Sequence, residues 1–299
     1  MCETPGLRAG GKLNRTTIRQ VVTAGSEVGK SGAPLLKWPG GKRALADAIL
    51  EHFPANFQTY YEPFFGGGAV FFSLAPSRAV VADLNEDLIN CYRVVREDPE
   101  GLISVLRTFK NSEDDYYEIR KYRPRTEVRK AARLLYLTRL SFNGIHRVNL
   151  QGEFNVPYGK KLHLASHDEQ AIRRTSIALK HAQLVSGDFQ KVTEDAWAGD
   201  LVYFDPPYTV AHANNGFVKY NERIFSWADQ IRLALHAKTL SKRGCTVVVS
   251  NADHPSIREL YSGVPTFDIE RHSVISAARE HRRLIKECIF VLGGENAVA

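Results

Sequence analysis

The sequence predicts an α/β domain, a parallel sheet covered by helices, that is interrupted by a basic lobe. β-rich runs alternate with amphipathic helices, and the alternation stops near residue 111 and resumes near residue 170. Positive charge is concentrated between these points. The interval from Arg107 to Arg174 holds 15 Lys and Arg against 8 Asp and Glu, and the rest of the 299 residues is balanced, so the net charge of +7 comes from this interval. Such a segment suits an anionic partner such as nucleic acid.

The alternating pattern begins after Pro34. The segment KRALADAILEHF predicts a helix with four apolar residues on one face, Leu45, Ala48, Ile49 and Phe53. TYYEPF then predicts a short buried strand, RAVVADLN a second strand, and EDLINCYRVVRE a helix. HAQLVSGDF, DLVYFDPPY and GCTVVVSNAD predict further strands that end at polar or glycine-containing corners. In such a sheet, ligands bind at the carboxyl ends of the strands.

The interrupting segment is predicted to contain charged helices and a hairpin. TEVRKAARLLYLTRLSF carries an apolar stripe formed by Val128, Ala131, Leu135 and Leu140. In NGIHRVNLQGEFNVPYGKK, turn residues separate the apolar ones as in a β-hairpin. We therefore divide the chain into a flexible N-terminal arm (1–30), an α/β domain (31–110 and 171–299) and an inserted basic lobe (111–170).

Composition argues against several classes of protein. The four cysteines, Cys2, Cys91, Cys245 and Cys288, are far apart in sequence and form no CxxC pair, so neither a disulfide framework nor a metal site is expected. The chain contains no signal-peptide pattern and no apolar run of about 18 residues, the length that a membrane-spanning helix needs. We expect an intracellular protein that does not enter the membrane.

Two features predict a nucleoside-like ligand. EPFFGGGAVFF places Gly66, Gly67 and Gly68 between a strand and a helix, where glycine lets the backbone approach a bound molecule closely. The spacing is not that of G-x-G-x-x-G, and a tight turn would explain the glycines equally well. Asp83, at the end of the next strand, is well placed to accept hydrogen bonds from ribose hydroxyls, although alone it could cap the following helix.

The segment LKWPGGK offers Lys37, Trp38 and Lys42 around two glycines. It lacks the G-x-x-x-x-G-K-[ST] order of a phosphate-binding loop. An aromatic face such as that of Trp38 attracts cations, and a sulfonium group is one.

The segment LVYFDPPYTV predicts a pocket for a base that carries an amino group. Asp205 ends a strand, and Pro206 and Pro207 present carbonyl oxygens that are held in place because proline fixes φ. Two acceptors match an exocyclic amino group, and the Tyr208 ring offers a face on which a base can stack. A proline-rich turn capped by the acid is the alternative interpretation of these residues.

These motifs together resemble the Dam-type, D12 class of DNA adenine N6-methyltransferases. LKWPGGK, EPFFGGGAVFF, ADLNEDLI, NGIHRVNLQGEFNVPYG, GDF and YFDPPY occur in that family's order, which is the order of the alpha group of amino methyltransferases. The resemblance implies a Rossmann-like sheet that uses S-adenosylmethionine, with the lobe 111–170 acting as the target-recognition lobe.

The resemblance also implies roles for individual residues. Those expected to line the S-adenosylmethionine site are Lys37, Trp38, Lys42, Phe64, Gly66, Gly68, Asp83, Asp188, Phe189 and Asp205. The expected catalytic residues are Asp205, Pro206, Pro207 and Tyr208. The expected DNA-binding residues are Arg139, Asn143, Ile145, Arg147 and Asn149. One segment, RHSVISAAREHRRLIKEC, departs from the family pattern, with Ser276 and Arg279 in place of a glycine-bearing basic loop.

The implied reaction is methyl transfer to N6 of an adenine flipped out of duplex DNA, because a stacked adenine cannot present N6 to a methyl donor. GATC is the expected site, since NGIHRVN is similar to the hairpin of GATC-specific members. The resemblance further implies a bacterial or phage-encoded protein that acts as a monomer in the cytoplasm, at the nucleoid. Two alternatives stay open: a cytosine N4 methyltransferase, and an inactive DNA-binding regulator with this fold.

Overall fold

The computed structural model describes residues 34–149, 151–209, 225–272 and 284–293. The strands within these ranges are β1 (Tyr60–Glu62), β2 (Ala79–Asp83), β3 (Ala182–Ser186), β4 (Leu201–Phe204), β5 (Thr246–Ala252), β6 (Thr266–His272) and β7 (Leu284–Leu292). The helices are α1 (Ala46–Leu50), α2 (Ala69–Leu74), α3 (Glu86–Glu97), α4 (Pro99–Arg107), α5 (Glu113–Lys121), α6 (Glu127–Leu140), α7 (Glu169–Leu179), α8 (Phe189–Val192), α9 (Trp227–Lys242) and α10 (Pro255–Leu260).

The strands form one sheet in the order β3-β2-β1-β4-β5-β7-β6. The first five are parallel to one another, whereas β7 runs antiparallel to both β5 and β6. Strand order reverses beside β1, which lies between β2 and β4, and in open α/β sheets ligands bind at such a point. The α/β, Rossmann-like fold class predicted from the sequence is confirmed.

Alternate residues of the central strands enter two separate cores. In β4, Leu201 and Tyr203 pack into one core, while Val202 and Phe204 pack into the other. Successive side chains of a strand point to opposite faces, so this division means that both faces of the sheet are covered. All four residues are fully buried, which explains why the strand is continuously apolar in sequence.

The helices begin where the sequence supplies a capping side chain. Asn85 caps α3 by accepting a hydrogen bond from the Leu88 backbone N–H at 3.0 Å. Ser226 and Asp229 form a capping box at the start of α9. Each cap satisfies backbone N–H groups that have no partner within the helix, and this fixes where the helix starts.

The segment 111–170 contributes to the same core as the sheet. Tyr116 of α5, Tyr136 of α6 and Tyr158 are buried together with residues of β1, β2 and α3. The expected hairpin is present as an antiparallel bridge between Val148 and Phe154. The division of the chain at 110 and 170 stays a prediction, and the second boundary falls within α7.

The N-terminal arm 1–30 lies outside the described residues. Among the residues that the structure does describe, no helix has both the length and the apolar character needed to cross a bilayer.

Glu62 carries a pH dependence that stability measurements can detect. This buried carboxylate at the end of β1 accepts hydrogen bonds from the Tyr60 hydroxyl at 2.8 Å and from the Phe71 backbone N–H of α2 at 3.1 Å. Burial raises the pKa of Glu62 from 4.5 to about 8. A carboxyl whose pKa is raised by folding stabilises the fold fully below its unfolded pKa, and this stabilisation is lost as pH rises through the folded pKa.

We therefore expect Glu62 to lower the free energy of unfolding between about pH 4.5 and pH 8, by up to about 1.4 kcal/mol per pH unit, and Glu62→Gln to remove this contribution. Urea unfolding of both proteins across this range would measure it. Glu118→Gln, at an exposed position of α5, is the matched control. Parallel pH curves for the wild type and Glu62→Gln would contradict the assignment.

Candidate active site

Acidic side chains meet at the carboxyl edge of the sheet. Asp83 is the last residue of β2, and Asp205 directly follows β4. Both strands pair with β1, whose last residue is Glu62. The sequence prediction that Asp83 and Asp205 lie at strand ends is therefore met in the structure, and their two strands flank β1.

The glycine corner between β1 and α2 is tightly packed. Gly68 has a φ of 68°, and a Cβ there would lie 2.6 Å from the Phe65 ring. Gly66 has a φ of 49°, and its Cβ would lie 3.0 Å from the indole of Trp38. Larger residues are excluded at these two positions by backbone conformation and by the neighbouring rings.

Asp83 holds this corner in place. Its Oδ2 accepts a hydrogen bond from the Gly66 backbone N–H at 3.0 Å, and its Oδ1 accepts one from the Asn85 backbone N–H at 2.9 Å. Burial raises the pKa of Asp83, and these two hydrogen bonds oppose the rise. The cap of α3 is Asn85, so the alternative role of Asp83 as that cap is excluded.

Two residues of LKWPGGK contact the segment that precedes the hairpin. The Trp38 ring stacks on His146 with ring centroids 4.5 Å apart and planes 18° apart. Lys37 Nζ donates to the Asn143 carbonyl at 2.7 Å. Burial lowers the pKa of His146 to about 4, so the stacked imidazole is neutral at pH 7. Trp38 therefore touches both the glycine corner and the predicted DNA-reading segment.

The Asp188 and Phe189 pair is engaged by an arginine of α9. The guanidinium of Arg232 donates to both carboxylate oxygens of Asp188 at 2.8 Å and lies 4.3 Å from the centre of the Phe189 ring. Burial raises the pKa of Asp188, but the hydrogen bonds and charge of Arg232 together with the hydrogen bond from the Gln190 backbone N–H outweigh it, and the pKa lies below its ordinary value. The rings of Phe64 and Phe225 pack beside Phe189.

Asp205 is held by two donors that bind the same oxygen. Lys42 Nζ lies 2.7 Å from Oδ1 and Ser250 Oγ lies 3.0 Å from it. The hydroxyl of Tyr203 is 2.9 Å from Ser250 Oγ and so orients it. Burial raises the pKa of Asp205, and Lys42 opposes the rise. Lys42 itself is buried, with 5% of its side chain exposed.

The remaining residues of the DPPY segment are also fixed. Gln230 Nε2 donates to the Pro207 carbonyl at 3.2 Å, and Asn251 Nδ2 donates to Gln230 Oε1 at 3.0 Å. The sequence analysis presents both proline carbonyls as acceptors available to a base, and this is wrong for Pro207, because a buried amide of α9 binds its carbonyl. The Tyr208 hydroxyl donates to Glu287 Oε2 of β7 at 2.7 Å.

The predicted DNA-binding residues are distributed over the end of α6 and the hairpin. Asn143 has a left-handed φ of 56°, and Ile145 packs against the core. Arg147 Nε donates to Asn155 Oδ1 at 2.9 Å across the hairpin. The side chain of Asn149 stays within the hairpin, where it binds the Glu153 carboxylate and backbone.

Arg139 Nε donates to the Ala165 carbonyl at 2.9 Å, so its side chain is tied to the chain that follows the hairpin. Ser276 and Arg279 lie outside the described residues.

The sequence interpretation missed several residues of this site. Glu287 is a lone acid within an apolar strand, and that pattern is the signal that could have found it. Ser250 and Asn251 end a β-rich run that resembles the other strand ends. Gln230 and Arg232 come from a helix whose sequence gives no indication of its contacts. Among the described residues, no cluster of His, Cys, Asp or Glu is arranged to hold a metal ion.

Comparison with protein families decides which enzymes this chain is related to. The family model of the D12 class N6 adenine-specific DNA methyltransferases matches residues 38–277. The chain belongs to this family. The match contains the glycine corner, the lobe and the DPPY segment, and the cytosine N4 alternative is not favoured because the family is adenine-specific.

Three known methyltransferases are similar to this chain over most of their length, which supports its assignment to the family. The type II methyltransferase M1.LlaDCHI of Lactococcus lactis subsp. cremoris is 39% identical over 266 residues, which cover 86% of this chain and 94% of that protein. The type II methyltransferase M.MjaIII of Methanocaldococcus jannaschii is 34% identical, covering 84% and 95%. The DNA adenine methylase of Haemophilus influenzae is 35% identical, covering 87% and 93%.

Because Lys42 is buried, its removal is expected to lower the free energy of unfolding strongly. In Lys42→Met, Asp205 and Glu287 would remain as buried carboxylates without their cation. We expect the free energy of unfolding to fall by about 3–5 kcal/mol, the cost typical of breaking a buried pair. Urea unfolding at pH 7 measures it.

Lys121→Met is the control, because Lys121 pairs with Glu118 on the surface, where both side chains are about three-quarters exposed. That change should cost less than about 1 kcal/mol. Equal losses in the two variants would show that Lys42 is not a buried cation in solution.

Proposed function

We propose that this D12 class adenine methyltransferase transfers a methyl group from S-adenosylmethionine to N6 of an adenine that is flipped out of duplex DNA, within the sequence GATC. The observation that carries the proposal is the arrangement around Asp205. Both Lys42 and Ser250 bind Oδ1, so Oδ2 is the oxygen we assign to the amino group of the target base. The Tyr208 ring lies beside it, with Lys42 Nζ 4.8 Å from the ring centre.

The residues at the glycine corner fit the methyl donor. The corner leaves no room for a side chain at Gly66, and Asp83 lies at the end of β2, where ribose hydroxyls bind in folds of this type. Trp38 and the rings around Phe189 supply aromatic surface on either side. When bound, S-adenosylmethionine supplies a methyl group activated by its sulfonium charge, which an aromatic face such as that of Trp38 stabilises.

Arg232 contacts Asp188 and Phe189, the two residues predicted to bind the adenine of the methyl donor. We assign the donor's adenine to the side of Phe189 away from Arg232, because the guanidinium covers one face of that ring. Asp188 accepts hydrogen bonds from Arg232 and from the Gln190 backbone N–H of α8. Because a carboxylate has about four lone-pair sites, Asp188 can accept one more hydrogen bond, and we assign that bond to the adenine of the methyl donor.

The chemistry of the target base then follows from this chain's own groups. Asp205 Oδ2 and the Pro206 carbonyl accept the two hydrogens of N6, which draws the nitrogen toward tetrahedral geometry and exposes its lone pair. Tyr208 holds the base by stacking, worth about 1–3 kcal/mol. The N–C bond would form as the donor's methyl–sulfonium bond breaks, which would leave a neutral thioether. The two acceptors stabilise the positive charge that develops on N6, and one N6 proton then passes through Asp205 Oδ2 to solvent. Positioning and electrostatics carry the catalysis.

Duplex DNA is assigned to the basic segment 111–170. The hairpin between Arg147 and Asn155 is braced by its own hydrogen bonds, and a two-stranded β-ribbon fits the major groove. Other Lys and Arg of the segment would contact phosphates, which makes binding depend on salt. We propose that the protein acts as a monomer, modifying one strand at a time.

The decisive experiment incubates the protein with labelled S-adenosylmethionine and unmethylated genomic DNA and maps N6-methyladenine at base resolution. We expect methylation confined to GATC. Asp205→Asn should lower kcat by about 10²–10³-fold, because a preorganised acceptor for the developing charge is lost.

Asp268→Asn is the matched control, because Asp268 is a solvent-exposed carboxylate on β6. Its activity should equal that of the wild type. Methylation at a different sequence would refute the GATC assignment and keep the chemistry. DNA binding without methyl transfer would support the inactive regulator instead.

The hairpin assignment predicts a change in sequence preference. Arg147→Ala removes a side chain that we assign to base contacts, and such a loss typically costs about 1–3 kcal/mol and relaxes specificity at one position. Arg129→Ala, on the exposed side of α6, should leave the preference for GATC unchanged. Methylation rates on a set of single-mismatch duplexes test this, and an unchanged preference in Arg147→Ala would exclude the residue from readout.

A further inference from the structure

Glu287 is a fully buried carboxylate for which the reaction proposed above has no role. It lies in β7, opposite Ala252 at the carboxyl end of β5, and the residues that follow it in β7, Cys288–Leu292, are apolar and buried. Burying a carboxylate in such surroundings costs free energy unless charged or hydrogen-bonding groups compensate. The Tyr208 hydroxyl and Lys42 are among the groups that compensate here.

The contacts of Glu287 close a loop of three side chains, Glu287, Tyr208 and Lys42, and Lys42 joins Asp205 to this loop. Its Oε2 accepts the hydrogen bond from Tyr208 at 2.7 Å and lies 3.7 Å from Lys42 Nζ. Lys42 in turn binds Asp205 at 2.7 Å and lies over the Tyr208 ring. Lys42 is therefore held between two carboxylates and hydrogen-bonds Asp205 but not Glu287, while it also donates to the Gly40 backbone carbonyl at 3.2 Å.

This loop determines the orientation of the ring. A tyrosine whose ring only stacks could rotate about its side-chain bonds, but a hydroxyl anchored on a buried carboxylate leaves one orientation. Burial, followed by the charge of Glu287, raises the pKa of Tyr208 well above its ordinary value, so the hydroxyl remains a donor throughout the working range of the protein.

We propose that Glu287 is a positioning residue for methyl transfer, which anchors the Tyr208 ring for stacking of the flipped base and shares Lys42 with Asp205. The inference rests on the proposed roles of Asp205 and Tyr208. Glu287 acts through these two side chains and does not itself touch the substrate.

The test compares kcat and KM of Glu287→Ala, Glu287→Gln, Tyr208→Phe and the double variant Glu287→Ala/Tyr208→Phe in the full chain. We expect Glu287→Ala and Tyr208→Phe each to lower kcat about 10–100-fold, with KM for DNA and for S-adenosylmethionine changed less than about threefold. The double variant should be no slower than the slower single variant, because both changes break the same contact. Multiplying losses would overturn the proposal.

Glu287→Gln separates positioning from charge. The amide keeps an oxygen that can accept the Tyr208 hydroxyl, so kcat near its optimum pH should stay within about threefold of the wild type. The negative charge of Glu287 contributes to the raised pKa of Asp205, so its removal should move the acidic limb of the kcat–pH profile to lower pH. The charged or titratable groups around Asp205 are Lys42, Glu287, Glu62, Tyr203 and Tyr208.

An acidic limb that does not move in Glu287→Gln would overturn the shared-charge part of the proposal, and wild-type kcat in Glu287→Ala would overturn the positioning part. Because Tyr208→Phe and Glu287→Gln change few atoms, they report on the contact even where Glu287→Ala fails to fold. An inactive wild type would refute the proposed function. An active wild type with an inactive Asp205→Asn, and Glu287 variants equal to wild type, would refute this inference alone.

Discussion

The buried ion pair between Lys42 and Asp205 is the constraint on which the site depends. It joins the segment before α1 to the end of β4, two parts of the chain far apart in sequence. A buried ammonium and a buried carboxylate are each costly alone, so the two segments have to meet for either group to be tolerated. Because Lys42 also lies beside Glu287 and Tyr208, the same contact brings β7 and the DPPY segment to the carboxyl edge of the sheet.

The sheet topology explains how these groups converge. Parallel strands present all their carboxyl ends at one edge, so β2 and β4 deliver Asp83 and Asp205 to either side of β1. The antiparallel β7 presents residues near its beginning at that edge. Glu287, opposite the last residue of β5, thereby reaches a site that otherwise consists of strand ends and the loops after them.

The parts of the structure that depend on neighbouring residues were predictable from the sequence. The segment EDLINCYRVVRE has the residues of α3, because Asn85 supplies a local cap and the apolar stripe is clear. Asp83 and Asp205 were predicted at strand ends because a run of β-formers stops at each. α1 is shorter than its apolar pattern suggests, ending at Leu50.

Contacts between distant segments were not predictable in this way. Glu287 reaches the site through the pairing of β5 with β7, and Arg232 reaches Asp188 from α9. The expectation that the Pro207 carbonyl is available to a base was wrong for the same reason, since Gln230 reaches it from a helix whose sequence gives no indication of this contact. Local sequence determines where a strand ends, whereas a partner across the core depends on the packing of the whole chain.

The stack of Trp38 on His146 has a consequence for how such a protein could diverge in specificity. The segment from Asn143 to His146 contacts Lys37 and Trp38, and Trp38 packs against the glycine corner, so replacements in this segment would also disturb the site proposed for the methyl donor. Farther along the hairpin, hydrogen bonds join Arg147 to Asn155 and Asn149 to Glu153, and Glu153 also pairs with Arg123. If the hairpin reads the target sequence as proposed, replacements at Arg147 and Asn149 would alter specificity and leave the Trp38–His146 stack in place.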